Sequence, residues 1–131
     1  MRYFFDNNLS PRLSAALDAL EGEDGAAVRH LRDRFERTTS DVDWMRALGT
    51  EGDWVVITSD IRITKNKHEV LAWKESGLTV FFLKNAWLKM TFWPQAAQIV
   101  KTWPNIKKLA QRYPTAHRFL VPVSGNKIGE L

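Results

Sequence analysis

Three aspartates lie where predicted apolar strands end or a predicted helix begins. Asp6 closes the segment Met-Arg-Tyr-Phe-Phe-Asp, and Asp60 closes Trp-Val-Val-Ile-Thr-Ser-Asp. Asp41 opens a helical pattern in Thr-Ser-Asp-Val-Asp-Trp. Open α/β sheets bind their ligands outside the carboxyl ends of the parallel strands. We therefore expect these three carboxylates to lie together at that edge and to surround a divalent cation.

Carboxylate oxygens at such an edge suit Mg²⁺ or Mn²⁺, which are usually held by a few carboxylates together with water and substrate phosphate. A cation held there would lower the pKa of a bound water and stabilise negative charge on phosphate oxygens during in-line attack. Without the cation, three crowded carboxylates would repel one another, and some of their pKa values would rise. The aspartate pattern therefore predicts metal-dependent cleavage of a phosphodiester bond.

Each aspartate also has a purely structural interpretation. Asp6 and Asp60 can form turns by bonding the backbone two residues on. Asp41 can cap its helix or interact with the helix dipole. Asp43 falls three residues after the predicted cap, where it resembles the second member of a capping box, although Glu or Gln is usual there. The repeated placement of carboxylates at strand ends favours the metal site.

Basic and hydroxyl residues surround the third aspartate. Arg62, Lys65 and Lys67 fall within six residues, and Ser59 immediately precedes Asp60. Bases near a helix N-terminus are well placed to bind phosphate, so all four residues are candidate phosphate or RNA contacts. A solvated surface explains the bases equally well, and the hydroxyl of Ser59 has the alternative role of holding the turn.

The net charge of +4 is unevenly distributed over the 131 residues. Residues 1–60 hold 12 acids and 7 bases, which gives −5, whereas residues 61–131 hold 3 acids and 12 bases, which gives +9. The first part carries the proposed metal ligands, and the second would attract a polyanion such as nucleic acid. Charge asymmetry also arises by drift, so on its own it does not establish nucleic-acid binding.

Several classes of function are excluded or disfavoured by residue types. The chain has no cysteine, which excludes a disulfide framework, a thiolate zinc site and a cysteine nucleophile. His30, His68 and His117 show no metal-ligand spacing, so we expect surface or structural roles for them. The absence of a glycine-rich phosphate loop argues against an NTPase or a dinucleotide enzyme. A receiver-type phosphoacceptor domain would need a later lysine that the sequence does not place.

The N-terminal residues show no signal-peptide pattern, and the sequence contains no apolar segment long enough to span a membrane. We therefore expect a cytoplasmic location and no membrane partner.

Short apolar segments alternate with helical patterns, which is typical of βαβ units and a parallel sheet. Strands are predicted at residues 2–5, 26–31, 54–58, 78–83 and 117–123, the last at the sheet edge. Helices are predicted from Ser10-Pro11 to residue 20, from residue 41 to Gly49, from 67 to 76, and over 93–112 as one helix or as two separated by Pro104. We expect one three-layer α/β/α domain over residues 1–131, with a polar, loose tail from about residue 124.

The six tryptophans stand at positions 44, 54, 73, 87, 93 and 103, mostly within apolar patterns that predict a core. Trp87 and Trp93 lie near Lys84 and Lys89 and have a second interpretation. They could stack on unpaired bases or anchor a partner chain. The local pattern around these two residues is compatible with either role.

The motifs above resemble the PIN-like superfamily, in particular the PIN-like toxins of VapC type from bacterial toxin–antitoxin pairs. The matching pieces are Phe-Phe-Asp-Asn-Asn-Leu-Ser, Thr-Ser-Asp-Val-Asp-Trp-Met-Arg-Ala-Leu and Val-Val-Ile-Thr-Ser-Asp-Ile-Arg-Ile. Their order and spacing extend the likeness over about residues 1–83. The resemblance implies a three-layer α/β/α fold with a mainly parallel sheet and RNA cleavage that depends on Mg²⁺ or Mn²⁺. It also implies a protein antitoxin as partner, and a homodimer is a further candidate assembly.

The catalytic, metal-binding acids of that family correspond in this chain to Asp6, Asp41 and Asp60. Many PIN-type sequences add a fourth acid two residues after the third, where this chain has Arg62. The resemblance leaves the fourth ligand open between water, Asn8 and Asp43. The same departure raises an alternative, a PIN-like module with a weak or inactive acidic site that binds RNA or protein.

Overall fold

The computed structural model of the chain describes residues 1–60 and 65–131. Within these ranges the strands are Arg2–Phe5 (β1), Ala27–His30 (β2), Trp54–Thr58 (β3), Thr79–Leu83 (β4), Arg118–Val121 (β5) and Gly129–Glu130 (β6). The helices are Pro11–Glu21 (α1), Leu31–Arg34 (α2), Asp41–Glu51 (α3), Lys67–Ser76 (α4), Asn85–Leu88 (α5) and Phe92–Arg112 (α6).

The strands form one mainly parallel sheet in the order β2-β1-β3-β4-β5-β6. β1 pairs with β2 on one side and with β3 on the other, so that Phe5 lies opposite both His30 and Ile57. The chain adds β2 to one side of β1 and then β3, β4 and β5 to the other. The boundary between β1 and β3 is therefore the switch point at which open α/β sheets bind ligands.

Alternate strand residues face opposite sides of the sheet, as the two-residue period of a strand requires. On one side Phe5 belongs to a core that includes Leu17 of α1 and Ile106 of α6. On the other side Phe4 belongs to a second core that includes Trp44 of α3. Two apolar cores on the two faces of one sheet make the fold a three-layer α/β/α domain, which confirms the predicted fold class.

The strongest sequence signals are observed with their predicted bounds. β1 and β3 have the bounds predicted for the strands over residues 2–5 and 54–58. α4 has the bounds predicted for the helix over residues 67–76. Every residue of β3 is buried, as expected for a continuous apolar strand with covered faces. The single-turn helices α2 and α5 were not predicted, because four residues are too few to show a helical period.

The predicted end of the third helix at Gly49 is wrong. α3 continues to Glu51, and Gly52 follows it with a φ of 75°. That positive φ favours glycine, so Gly52 is the residue that ends the helix. Gly49 is instead a packing residue, because an added Cβ there would lie 2.8 Å from the Cα of Ser76 at the end of α4.

α6 is one continuous helix, and Pro104 lies inside it. Proline removes one hydrogen bond to the preceding turn. The helix continues past it because Trp103 and Ile106, on either side, are both buried in the core. No helix in the described part of the chain is both long enough and apolar enough to cross a membrane.

The last residues carry an element that the sequence did not predict. β6 pairs antiparallel with β5, and the backbone N–H of Leu131 donates to the carbonyl of Arg118 at 2.7 Å. β6 therefore lies outside β5, so that β5 is not the edge strand that was predicted.

The close approach of α3 and α4 makes Gly49 a test of the packing. Alanine usually gains about 1 kcal/mol over glycine inside a helix, but here its methyl group would have to push the backbone of Ser76 away. Overpacking of this kind typically costs about 1–3 kcal/mol. We predict that Gly49→Ala lowers the free energy of unfolding measured by urea denaturation.

The control for this measurement is Gly129→Ala, because a Cβ at Gly129 would meet no atom within 4 Å. Its stability should stay close to that of the wild type. A Gly49→Ala protein as stable as the wild type, or more stable, would contradict the observed packing of the two helices.

Candidate functional site

The first and third predicted aspartates lie at the same edge of the sheet. Asp6 directly follows β1, and its backbone N–H donates to the carbonyl of Ile57 in β3 at 3.3 Å. Thr58 ends β3, and Asp60 follows two residues later. Because β1 and β3 are neighbouring parallel strands, their ends bring Asp6 and the segment Thr58-Ser59-Asp60 together at the switch point.

Asp6 is a buried acid with fixed hydrogen bonds. Its side chain is only 3% exposed. The hydroxyl of Thr58 donates to one carboxylate oxygen, and the backbone N–H of Asn8 donates to the other at 3.1 Å. The backbone N–H of Asp60 in turn donates to the Thr58 hydroxyl oxygen at 3.0 Å. A chain of hydrogen bonds therefore connects the ends of β1 and β3 through Thr58.

The electrostatic environment disfavours the charged form of Asp6. Burial is the main cause that raises its pKa from 3.8 to about 7, and the charges of Asp41 and Asp60 raise it further. The hydrogen bonds from Thr58 and Asn8 act in the opposite direction. Asp41 and Asp60 thus both lie close enough to Asp6 to disfavour its negative charge.

Asp41 and Asp43 have different surroundings at the start of α3. The carboxylate of Asp41 accepts a hydrogen bond from the indole Nε1 of Trp44 at 2.9 Å, and Trp44 is fully buried. Asp43 is exposed, and its backbone N–H donates to the Ser40 hydroxyl at 3.1 Å, which caps the helix. Asp41 is therefore tied to the core, whereas Asp43 lies on the outer surface of the first turn.

The loop after β1 is held in place by His30. Its ring Nδ1 accepts from the backbone N–H of Arg32 at 3.1 Å, so the proton is on Nε2, which donates to the carbonyl of Leu9 at 2.7 Å. Burial lowers the pKa of His30, which favours this neutral form. Asn7 also contacts Arg32, accepting from its Nε at 3.0 Å. The structural role expected for His30 is confirmed, and Asn7 shares it.

Of the four predicted phosphate-binding residues, the structure describes three, Ser59, Lys65 and Lys67. We call the end of the sheet at which Asp6 and Asp60 follow β1 and β3 the acidic edge. Ser59 and Lys65 both line a cavity of about 480 Å³ next to it. Lys67 is exposed as the first residue of α4, after the Asn66 cap. Arg62 lies outside the described residues. The structure therefore brings Ser59 and Lys65 together at one cavity. Lys67 follows Lys65 by two residues in the chain.

The donor chemistry of the acidic edge fits a hard divalent cation. Carboxylate oxygens are the ligands that Mg²⁺ and Mn²⁺ prefer, and a cation would favour the charged form of Asp6, whose pKa is raised by burial and further by the charges of Asp41 and Asp60. Among residues 1–60 and 65–131, no three Asp, Glu or His side chains are arranged as a ready set of metal ligands. Mg²⁺ is commonly held by one or two carboxylates, with water and phosphate oxygens completing its shell.

The aspartates, the switch point and the strand order also agree with a family assignment. A family model described as a PIN like domain matches residues 1–85. This chain belongs to the PIN-like family. PIN-like domains are generally nucleases, and the matched part includes β1 to β4 and all three aspartates. Comparisons with curated proteins and with solved structures found no significant match.

Thr58 is the residue of this PIN-like site that the sequence did not single out. In the sequence it reads as the last β-branched residue of a strand. In the structure its hydroxyl bonds both Asp6 and the backbone of Asp60. The signal that could have found it is the Thr-x-Asp spacing at the strand end, because a threonine hydroxyl can bond the backbone two residues on and so hold the turn that carries the acid.

Trp87 and Trp93, for which two roles were predicted, have different surroundings in the structure. Trp87 is fully buried, and its indole Nε1 donates to the carbonyl of Val121 at 3.0 Å, so a stacking role for it is wrong. Trp93 is 79% exposed at the start of α6, which leaves it accessible to a partner. The remaining four are buried, as predicted for Trp44, Trp54, Trp73 and Trp103.

The raised pKa of Asp6 predicts a pH-dependent stability of the metal-free protein. The unfolded chain loses the Asp6 proton near pH 3.8 and the folded chain near pH 7, so this group destabilises the fold as the pH rises between those values. The cost reaches up to about 4 kcal/mol above pH 7. We predict that Asp6→Asn is more stable than the wild type near pH 8, by a margin that shrinks toward pH 4.

Urea denaturation in the presence of EDTA at several pH values measures this margin. The control is Asp24→Asn, which removes an exposed acid from the loop between α1 and β2 at the opposite edge of the sheet. The difference in the free energy of unfolding between Asp24→Asn and the wild type should not grow toward pH 8 as the difference for Asp6→Asn does. If the margin for Asp6→Asn were independent of pH, Asp6 would not carry the raised pKa.

Proposed function

We propose that this PIN-like domain is a metal-dependent endoribonuclease, and specifically the cytoplasmic toxin of a toxin–antitoxin pair of VapC type. The observation that supports the proposal most is the buried Asp6, bonded through Thr58 to the end of β3 with the charges of Asp41 and Asp60 close by. Burying an acid beside like charges costs stability. Acids with strongly raised pKa values at a switch point are typical of functional sites.

In this proposal Asp6, Asp41 and Asp60 hold Mg²⁺ or Mn²⁺, and Asp43 and Asn8 are further candidate ligands. When bound, such a cation supplies a water of lowered pKa and neutralises charge on the phosphate. The protein's own part is orientation. The Thr58 hydroxyl and the Asn8 backbone hold the two oxygens of Asp6, and the buried Trp44 holds Asp41.

The proposed substrate is RNA, and basic residues next to the acidic edge would bind its phosphates. Ser59 and Lys65 line the neighbouring cavity, and Lys67 is exposed close to them in sequence. Arg62 completes the proposed phosphate-binding group. The net charge of +9 over residues 61–131 supports attraction of a polyanion.

A protein antitoxin is the partner proposed to inhibit the domain, and a second copy of the chain is the other candidate. Large apolar side chains that remain exposed support a protein partner, among them Trp93, Leu20 and Val100. Exposed aromatic and aliphatic residues of this size are common at protein interfaces.

The exposed Trp93 also supports a second candidate function, a PIN-like module that binds RNA or protein without cleaving it. Such a module would bind RNA with an affinity that falls steeply with salt concentration. It would leave the RNA intact in the presence of Mg²⁺ or Mn²⁺, whereas the proposed nuclease would cleave it.

Substitution of the proposed ligands separates these functions. We predict that Asp6→Asn and Asp60→Asn each lower Mn²⁺-dependent RNA cleavage by more than about 100-fold, because even residues that only support a metal ligand typically cost 10- to 100-fold. Cleavage of a labelled RNA is the measurement, and circular dichroism with urea denaturation checks that both variants fold.

The matched control is Asp24→Asn, which removes one negative charge from the far edge of the sheet and should retain wild-type cleavage. If Asp6→Asn and Asp60→Asn both cleaved RNA as fast as the wild type, the proposed mechanism would be wrong. A wild type that binds RNA but never cleaves it with Mg²⁺ or Mn²⁺ would favour the binding module.

A further inference from the structure

We infer that the cavity beside Asp60 is a subsite for one nucleotide of the RNA strand, next to the phosphate at the acidic edge, and that Lys84 and Asn85 recognise that nucleotide. This inference rests on the proposed nuclease function and adds the residues that contact the substrate beside the cleaved bond. The cavity has a volume of about 480 Å³, within the usual range of small-molecule sites.

The position of the cavity continues the acidic edge along the sheet. Ser59 follows β3, Lys84 and Asn85 follow β4, and Leu120 belongs to β5, and all four line the cavity. β4 pairs directly with β3, and neighbouring strands lie about 4.8 Å apart. A strand of RNA with one phosphate at Asp60 therefore reaches the cavity with its next nucleotide.

The lining groups match the three chemical parts of a nucleotide. Lys65 and Lys84 supply positive charge for a phosphate. Leu83 and Leu120 supply an apolar wall for the face of a base. The amide of Asn85 can both donate to and accept from the polar edge of a base. Neither inorganic phosphate nor a purely apolar ligand would use all three kinds of group.

Ser59 carries an independent sign that a polar ligand belongs there. The residue is only 8% exposed, and its hydroxyl is buried with no hydrogen-bond partner in the described part of the chain. Buried polar groups without a partner are uncommon because leaving them unpaired costs free energy. A phosphate or sugar oxygen in the cavity would give this hydroxyl a partner.

The far wall of the cavity is preorganised by the buried Trp87. Its indole bonds the carbonyl of Val121, and its backbone N–H donates to the carbonyl of Lys84 at 2.9 Å. The backbone N–H of Lys84 also donates to Val121, at 3.0 Å. The backbone of Lys84 is thus fixed at the ends of β4 and β5, which sets where the side chains of Lys84 and the adjacent Asn85 leave the chain.

The first test measures RNA cleavage and RNA binding by Lys84→Ala and Asn85→Ala. We expect each variant to raise KM by about tenfold and to leave kcat nearly unchanged, the effect of losing one hydrogen bond to a substrate group outside the reacting atoms. In EDTA, where RNA is bound but not cleaved, Lys84→Ala should also lower the slope of log Kd against log salt concentration by about 0.7.

The matched control is Lys101→Ala, which removes the same charge from an exposed position on α6. It should change neither KM nor the affinity for RNA beyond the small effect of net charge. If Lys84→Ala, Asn85→Ala and Lys101→Ala were indistinguishable, the cavity would not be a substrate subsite, and the inference would be overturned.

A second arm separates a nucleotide of the RNA strand from a free mononucleotide. AMP, CMP, GMP and UMP are titrated into the ¹⁵N-labelled protein, with inorganic phosphate as a further probe. A strand subsite predicts shifts of the Ser59, Lys65, Lys84 and Asn85 amides with mononucleotides, smaller shifts with phosphate, and raised KM values in the same variants. Mononucleotide binding with unchanged KM values would identify a free-nucleotide site and overturn the strand subsite.

Failure of the proposed function would look different from failure of this inference. A wild type that never cleaves RNA, but whose RNA binding in EDTA weakens with Lys84→Ala and not with Lys101→Ala, would overturn the nuclease and support the nucleotide site. A wild type that cleaves RNA with KM unaffected by Lys84→Ala and Asn85→Ala would support the nuclease and overturn the nucleotide site.

Discussion

The hydrogen bond from the Thr58 hydroxyl to the buried carboxylate of Asp6 is the contact on which the rest of the site depends. It joins the ends of β1 and β3 at the switch point of the sheet. Slipping the register of these strands by one residue would turn their side chains to opposite faces and break the contact. The fully buried β3 opposes such a slip, because all of its residues are already packed out of contact with water. Core packing thereby determines where an energetically unfavourable acid is placed.

The same strand also positions the second aspartate. Phe4 packs against Trp44 with ring centroids 5.1 Å apart, and the indole of Trp44 bonds the carboxylate of Asp41. β1 therefore carries Asp6 at its end and, through Phe4, holds the start of α3 on the face of the sheet to which Phe4 points. Packing around β1 buries Asp6, and this burial raises its pKa. The same packing brings Phe4 against Trp44. The acidic edge is a consequence of the core and is not an independent loop structure.

Much of this architecture follows from local sequence, because long buried strands and capped helices leave strong periodic and turn signals. The placement of Asp6 and Asp60 at the ends of two neighbouring strands follows from the same patterns. What local sequence does not contain is which elements meet. Gly49 looks like a helix end until α4 packs against it, and Trp87 and Trp93 look alike until β5 covers only the first. Thr58 meets Asp6, and Lys84 lines the same cavity as Ser59, only because β3 lies between β1 and β4.

The central claim is that the acidic edge binds a divalent cation, and titration of the Asp6 carboxyl group by ¹³C NMR tests it most directly. In metal-free protein the group should titrate with a pKa of about 7. With saturating Mg²⁺ the pKa should fall well below that value, because a nearby cation favours the carboxylate. A monovalent salt at the same ionic strength should leave it near 7. Identical titration curves with and without Mg²⁺ would contradict the account.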